Sequence, residues 1–289
     1  MPKRIPLLSL VVLLGLCSVS QPVRGQALLP YTLQLDANEL EQQGLSLTQD
    51  AVQLARFQQY ELAMQRVQLA TQLAPKRYQT WFLLGSLYVQ TKKLDKGIEA
   101  LQQARRLEPK EAAILFSLGS ARFQKADYTG AVADLQAGLK IKPDVPEALF
   151  DLGNSYYKLN RFPEAIAQYQ KAVAKEAKFW PGINNIGLVK YESGDVTGAI
   201  AHWQRAIAID TKAAEPLLAM AVAVYAKGDA EQGLKFGEAA IRLDNRYADL
   251  DFLKENLWGS RLLGETKKFL QTPRIQATIA KSQEQPAQQ

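Results

Sequence analysis

Residues that could carry chemistry are few in this sequence. His202 is the only histidine and Cys17 the only cysteine, so a histidine-paired nucleophile and a metal site of several histidine or thiolate ligands are excluded. Carboxylates such as Asp95, Glu99 and Glu108 are scattered over the surfaces of predicted helices. No pair of them indicates general acid and base catalysis. We therefore predict a protein that is not an enzyme and that holds no cofactor and no metal.

The charge of the chain does not indicate a nucleic-acid partner. The formal net charge is +6, but Lys3, Arg4 and Arg24 lie in a stretch of 25 residues that contains no acid. The remaining residues carry 32 basic and 29 acidic side chains, a net charge of +3. No run of basic residues is longer than two. This is a mixed surface, and we expect the partner to be a protein.

The N-terminus has the order of a secretory signal. Lys3 and Arg4 precede an apolar run, residues 5–19, which is shorter than the roughly 20 residues of a membrane span. We predict a signal peptide over residues 1–25 and export to a periplasm or a thylakoid lumen. Two alternatives stay open, retention of residues 5–19 as a membrane anchor and lipidation at Cys17.

Small residues recur with a period of 34, which points to stacked structural units. The clearest series, within motifs such as "WFLLGSLY", is Gly85, Gly119, Gly153 and Gly187. A bulky residue follows sixteen positions after each of them, and Gly237 is the exception in this second series. Each unit has the apolar spacing of two helices. We predict that the four glycines let the two helices of a unit approach closely.

This pattern resembles the tetratricopeptide repeat family, whose signature is matched by Trp81, Leu84, Gly85, Tyr88 and Pro109. The resemblance implies an all-α, right-handed solenoid of six helix-turn-helix units with a C-terminal helical cap. The predicted boundaries are a lead-in at 26–43, six units spanning 44–247 (44–77, 78–111, 112–145, 146–179, 180–213 and 214–247), capping helices at 248–280 and a disordered tail at 281–289.

The resemblance also implies a binding groove. In this family, places 2, 5, 9, 12 and 13 of each unit, counted from its first residue, line a concave surface that holds an extended peptide or a helix. The partner-binding residues carried over to this chain are Phe82, Phe116, Phe123, Phe150, Asn154, Tyr157, Asn184, Tyr191 and Tyr225. We expect the aromatics at place 12 to form a ladder along the groove. The alternative is that they pack against the second helix of their unit as core.

One specialised function of the family is not indicated. Members that grip the acidic tail of a chaperone use a clamp of basic residues and asparagine. Places 2, 5 and 6 of the second, third and fourth units hold no lysine or arginine. We therefore expect no carboxylate clamp here.

The leading functional hypothesis is an exported scaffold for assembly or maintenance of a membrane-associated complex. The fifth unit, "NNIGLVKYESGDVTGAIAHWQRAIAID", is similar to repeats of cyanobacterial and chloroplast proteins, some of which help to assemble photosystems. The alternative is a factor of cell-envelope or outer-membrane assembly that is attached to the membrane by its N-terminus.

Overall fold

Helices make up the regular structure of residues 36–284, which is the part of the chain that the computed structural model describes. The predicted signal peptide, most of the predicted lead-in and the last five residues lie outside the described residues. Residues 38–284 belong to one compact unit. Within the described range, no helix combines the length and the apolar character that crossing a membrane requires.

Twelve of the helices form six consecutive pairs, and the all-helical repeat fold is confirmed. The pairs are α1 (Ala37–Arg56) with α2 (Tyr60–Leu73), α3 (Tyr78–Gln90) with α4 (Leu94–Leu107), α5 (Ala112–Gln124) with α6 (Tyr128–Ile141), α7 (Pro146–Lys158) with α8 (Phe162–Lys175), α9 (Trp180–Glu192) with α10 (Val196–Ile209), and α11 (Ala214–Ala226) with α12 (Ala230–Leu243). From α3 onward, the first helices begin 34 residues apart.

Three further helices follow the pairs. After a 3-10 turn at Asn245–Ala248 come α13 (Leu250–Glu255), α14 (Ser260–Leu270) and α15 (Pro273–Glu284). Helix α15 packs on α12 and closes the end of the stack. Arg274 at its first turn forms ion pairs with Glu231 and Glu238 of α12. Helix α14 instead packs on α9 and α11, the first helices of the last two units.

The two helices of a unit meet closely because a glycine faces a large side chain. A Cβ atom on Gly85 would lie 2.7 Å from Cγ of Leu101, and one on Gly119 would lie 2.5 Å from Cγ of Leu135. In the fourth unit the ring of Tyr169, which is fully buried, takes the place of the leucine. At separations this short, a Cβ atom would force the facing side chain to move. The helix cost of glycine, about 1 kcal/mol relative to alanine, is therefore offset by the packing that it permits.

A residue with left-handed backbone conformation closes the first helix of every unit. These residues are Gln58, Lys92, Ala126, Asn160, Gly194 and Gly228, with φ between 58° and 103°. The amide of the next residue bonds the last turn of the helix, as in the 2.8 Å bond from Lys93 N to Tyr88 O. Glycine, which favours this conformation, occupies the position in only two units.

Two helix ends differ from the predicted boundaries. Helix α1 starts at Ala37, so residues 37–43, which were placed in the lead-in, are continuous with the first helix of the first unit. At the other end, α15 continues to Glu284, so residues 281–284, which were placed in the disordered tail, are helical. Ser282 donates a hydrogen bond to the carbonyl oxygen of Ile279 within this last turn. Local backbone bonding thus extends both helices into polar sequence.

Candidate protein-binding groove

The first helices of the units present one common surface, formed by places 2, 6, 9 and 13. We call this surface the groove. Its open half belongs to α3, α5 and α7, and its filled half belongs to α9 and α11. The C-terminal segment, residues 250–270, lies on the filled half.

The N-terminus of α14 is held by a carboxylate of the groove. Glu192, at place 13 of the fifth unit, accepts hydrogen bonds from the backbone amides of Arg261 at 3.1 Å and Leu262 at 2.9 Å. The first amides of a helix have no partner within the helix and carry a partial positive charge, so a carboxylate is a favourable partner. Glu192 thereby fixes where α14 begins on the groove.

A second carboxylate of the groove meets an indole. Trp258, which is 2% exposed, donates a hydrogen bond from Nε1 to Oε1 of Glu215 at 3.1 Å. Glu215 occupies place 2 of the sixth unit and is buried. Burial raises the pKa of Glu215 to about 7, while hydrogen bonds with Trp258 and Asn184 act in the opposite direction. The bond therefore compensates part of the cost of burying a polar group.

Tyr191 joins the C-terminal segment through both its ring and its hydroxyl group. The hydroxyl group donates a hydrogen bond to Glu265 of α14. The guanidinium group of Arg261 lies 5.0 Å from the centre of the ring, in cation–π geometry. On its other side the ring packs 5.7 Å from that of Trp203 on α10. Tyr191 is consequently 1% exposed.

The last turn of α14 fills a space that the repeat leaves empty. Phe269 is fully buried beside Gly237, where a Cβ atom would overlap the phenylalanine ring. The same ring forms an edge contact with Tyr225, with centroids 5.3 Å apart. Gly237 stands where other units carry the bulky residue of the second helix. An aromatic ring from the C-terminal segment therefore replaces the side chain that the sixth unit lacks.

This cover buries the first helices of the last two units on all sides. Ten successive residues of α11, from Ala214 to Ala223, are buried. At place 9, Leu188 and Val222 are each 1% exposed and belong to one apolar cluster with Trp258, Leu262 and Phe269. The filled half is therefore part of the core.

Within residues 36–284, α13 and α14 form no such cover over α3 and α5. At α7 the C-terminal segment contributes Leu257, which belongs to one apolar cluster with Tyr156 and Tyr157. At place 9, Ser86 on α3 and Ser120 on α5 are partly exposed, whereas Asn154 on α7 is buried. At place 2, Gln79, Ala113 and Glu147 are exposed. The fold leaves these exposed and partly exposed side chains accessible to a partner.

The aromatics predicted at place 12 pack against the second helix of their own unit. Phe123 lies 5.3 Å from Tyr128, and Tyr157 lies 5.8 Å from Phe162, measured between ring centroids. Tyr157 is 6% exposed. Tyr191 pairs with Trp203 as described above, and Tyr225 is partly buried against Phe269. Among the described residues, each of these rings thus meets its own second helix or the C-terminal segment, and the ladder along the groove is not formed.

The phenylalanines at place 5 lie at the edge of the groove. Phe82, Phe116 and Phe150 are partly exposed. Phe150 packs against Tyr169 at 5.6 Å and Phe179 at 5.3 Å. One face of such a ring contacts the second helix, and the exposed remainder borders the open half.

The two predicted asparagines are buried. Oδ1 of Asn154 accepts hydrogen bonds from the hydroxyl group of Tyr169 at 2.7 Å and from Nδ2 of Asn185 at 3.0 Å. Asn184 has no exposed surface, and its Nδ2 donates to Asn185 at 3.2 Å. The bond between Asn154 and Asn185 joins the fourth and fifth units, while the bond of Asn184 stays within α9.

The residues that hold the C-terminal segment, including Glu192, Glu215, Trp258 and Phe269, were not predicted as site residues. Two signals of the sequence bear on them. Place 9 changes from serine in the second and third units to leucine and valine in the last two, and Gly237 breaks the series of bulky residues. An apolar lining and a missing side chain both indicate a cover.

Comparison with known families assigns the repeats. Models described as "Tetratricopeptide repeat" match residues 78–111 and 146–178. A model described as "TPR repeat" matches residues 119–160 and 187–228. The chain is a tetratricopeptide repeat protein. A search of curated proteins finds none that matches the sequence.

Solved structures share the fold. A MamA protein is 20% identical, with a TM-score of 0.55, covering 61% of this chain and 94% of that chain. MamA from Desulfovibrio magneticus RS-1 is 15% identical, with a TM-score of 0.56, covering 59% and 97%. YrrB, a tetratricopeptide repeat protein with an unusual peptide-binding site, is 17% identical, with a TM-score of 0.55, covering 62% and 93%. At these identities the likeness concerns the fold alone.

The groove of this tetratricopeptide repeat protein is acidic around the boundary between its halves. Glu147 and Asp151 on α7, Glu192 on α9 and Glu215 on α11 all lie at groove positions. Burial raises the pKa of Asp151 to about 6, and nearby Glu147 adds to this effect. Within residues 36–284, no group of three or more His, Cys, Asp or Glu residues is placed to hold a metal ion. Glu192 and Glu215 already accept hydrogen bonds from the C-terminal segment, so Glu147 and Asp151 are the acidic groups of this set that face no donor within the described residues.

Proposed function

We propose that the protein is a non-catalytic scaffold that binds a peptide or a helix of a partner protein in the open half of its groove. The supporting observation lies within the chain itself. In the filled half, the same surface already binds a helix, α14, through a carboxylate at its first turn and apolar contacts along its length. The open half has the same backbone scaffold and carries no helix of the described chain.

We further propose that the scaffold acts after export, in the assembly or maintenance of a membrane-associated complex. This step rests on the signal-like order of residues 1–25. Service to a photosynthetic complex is the narrower form of the proposal and rests on the resemblance of the fifth unit. Mass measurement of the mature protein tests export, because cleavage before Gln26 removes 25 residues whereas an anchored form keeps them.

The groove is tested by filling it. Ser86→Arg combined with Ser120→Arg places two long side chains at partly exposed positions of the open half. Crosslinked partners of this variant, captured from the native source, are compared with those of the native chain and of Thr129→Arg, an exposed site on α6. We expect the groove variant alone to lose specific partners. Identical partner sets for all three folded chains contradict groove binding.

A further inference from the structure

Four carboxylates of the groove fall into two pairs with different partners. Glu192 and Glu215 in the filled half accept hydrogen bonds from the C-terminal segment, from two backbone amides and one indole. Glu147 and Asp151 in the open half form no ion pair or side-chain hydrogen bond within the described residues. The described residues therefore supply donors to one pair only.

The pairs are equivalent in the repeat, which makes the comparison direct. Glu147 and Glu215 both occupy place 2, two units apart. Glu215 is met by Trp258 of the C-terminal segment, while Glu147 is exposed. Within the described residues, place 2 thus receives a hydrogen-bond donor in the sixth unit and receives none in the fourth.

Asp151 adds a cost that a cation would remove. It lies one helical turn after Glu147, on the same face of α7. Like charges at this spacing repel each other, and burial raises the pKa of Asp151 to about 6. A lysine or arginine side chain beside both groups would stabilise their ionised forms.

The rest of the open half is uncharged at its centre. Ser86, Ser117, Ser120 and Gln124 are hydroxyl and amide side chains at groove positions, and the exposed edges of the phenylalanines border them. Three charged side chains lie at groove positions of the open half, the acids Glu147 and Asp151 and the basic Lys158 at place 13 of α7. Burial and the nearby Lys254 of α13 lower the pKa of Lys158. The negative charge of the open half is therefore confined to the first half of α7. It disfavours an acidic segment and favours a basic one.

We propose that the open half binds a helical segment of a partner protein that carries lysine or arginine residues, placed against Glu147 and Asp151. The helical form follows from continuity with the filled half, where the groove binds α14. This inference rests on the proposed function and names the partner chemistry of the same site.

The test measures binding of three synthetic amphipathic helices to the full chain by calorimetry. The peptides share their apolar face and carry lysine, glutamine or glutamate on the polar face. We expect the lysine peptide to bind most tightly, with an affinity that falls as salt is added. Glu147→Gln with Asp151→Asn should raise the Kd of the lysine peptide about tenfold or more, since each substitution removes a charge-assisted contact. Glu99→Gln, an exposed carboxylate on α4, should leave the Kd unchanged within about twofold.

A charge reversal separates recognition from a structural effect. Glu147→Lys with Asp151→Lys should reverse the order of affinities, so that the glutamate peptide binds more tightly than the lysine peptide. Equal binding of the lysine and glutamine peptides to the native chain overturns the proposal, as does an unchanged order after the reversal. Circular dichroism verifies that every variant is folded.

The outcome for the groove itself is read from the capture experiment. If Ser86→Arg with Ser120→Arg abolishes capture of a partner whose crosslinked segment is acidic or neutral, the basic-helix proposal is wrong and the proposed function stands. If capture is unaffected by the groove variant, the proposed function fails as well. A crosslinked segment that is basic and helical supports both.

Discussion

The two halves of the groove have the same backbone, but helix α14 covers only one of them. On α3 and α5 of the open half, place 9 is a partly exposed serine, and on α7 it is the buried Asn154, whereas in the filled half it is Leu188 or Val222 beneath α14. The family fold sets the position of these residues but not whether they are covered. The side chains decide whether the surface is covered, because burial stabilises apolar residues and does not stabilise serine.

The difference also shows that the C-terminal helices cover two different surfaces of the repeat stack. Helix α15 covers the end of the last unit, which every open solenoid must protect from solvent. Helix α14 performs a different task, since it lies across the first helices of two units and shortens the groove. The groove surface that α14 leaves uncovered therefore belongs to α3, α5 and the first part of α7, where Glu147 and Asp151 lie.

The largest contrast between the halves is expected from a charge placed at place 9. Val222→Arg buries a cation within an apolar cluster and should destabilise folding by about 5 kcal/mol or prevent it. Ser120→Arg occupies the equivalent position of the open half and should change the free energy of unfolding by less than about 1 kcal/mol. Chemical denaturation of both variants measures the difference. Similar losses would mean that the open half is covered in solution.

Removal of the ring that anchors α14 is the next largest effect. Phe269→Ala leaves a cavity beside Gly237 and Tyr225 and should lower the free energy of unfolding by about 3–5 kcal/mol. Phe82→Ala is the matched change in the open half, where the ring is partly exposed, and should cost clearly less. Equal costs for the two changes would contradict the distinction between a core helix and an accessible edge.

The repeat architecture was predictable because its sequence pattern is contained within one unit and recurs in every unit. The 34-residue period, the pairs of helices and the glycines between them all follow from patterns within one unit. The direction of Phe123 and Tyr157 was not predictable in the same way. Both lie near the border between the groove and the second helix, and the ring of Tyr128 or Phe162 decides which side they join.

Docking of the C-terminal segment depends on contacts between distant residues. Glu192 meets Leu262 seventy residues later in the chain, and Trp258 meets Glu215 across 43 residues. The resemblance implied capping helices at 248–280, but it did not indicate which surface they cover. The apolar residues at place 9 of the last two units, together with Gly237, indicate the surface that the segment covers.

Gly237→Leu tests whether that glycine admits α14. The substitution introduces a side chain of the kind that the second and third units carry at this position, Leu101 and Leu135. Its Cβ atom would overlap the ring of Phe269, so we expect a loss of about 3 kcal/mol and increased hydrogen exchange in α14. Helices α3 to α6 should keep their protection. Unchanged exchange in α14 would show that Phe269 is not held through this contact.

The smallest predicted effect is the pH dependence that Glu215 gives to the filled half. Burial raises its pKa from an ordinary 4.5 to about 7, so the folded protein binds this proton more tightly than the unfolded chain does. The stabilisation is complete below about pH 4.5 and is lost as the pH rises to about 7. Between pH 5 and pH 8 we expect the loss to be on the order of 2 kcal/mol from this group.

Glu215→Gln should flatten that dependence. The amide keeps an acceptor for Nε1 of Trp258 and always offers a donor beside Asn184, whose Oδ1 is buried without a hydrogen-bond partner. A protonated Glu215 supplies such a donor only at low pH, so the variant should exceed the native chain in stability at pH 8 and match it near pH 5. Urea denaturation at both pH values, with Glu147→Gln as the exposed place-2 control, measures the effect. If the native chain and Glu215→Gln lose the same stability between the two pH values, Glu215 is ionised in the folded protein, and its bond with Trp258 is charge-assisted at neutral pH.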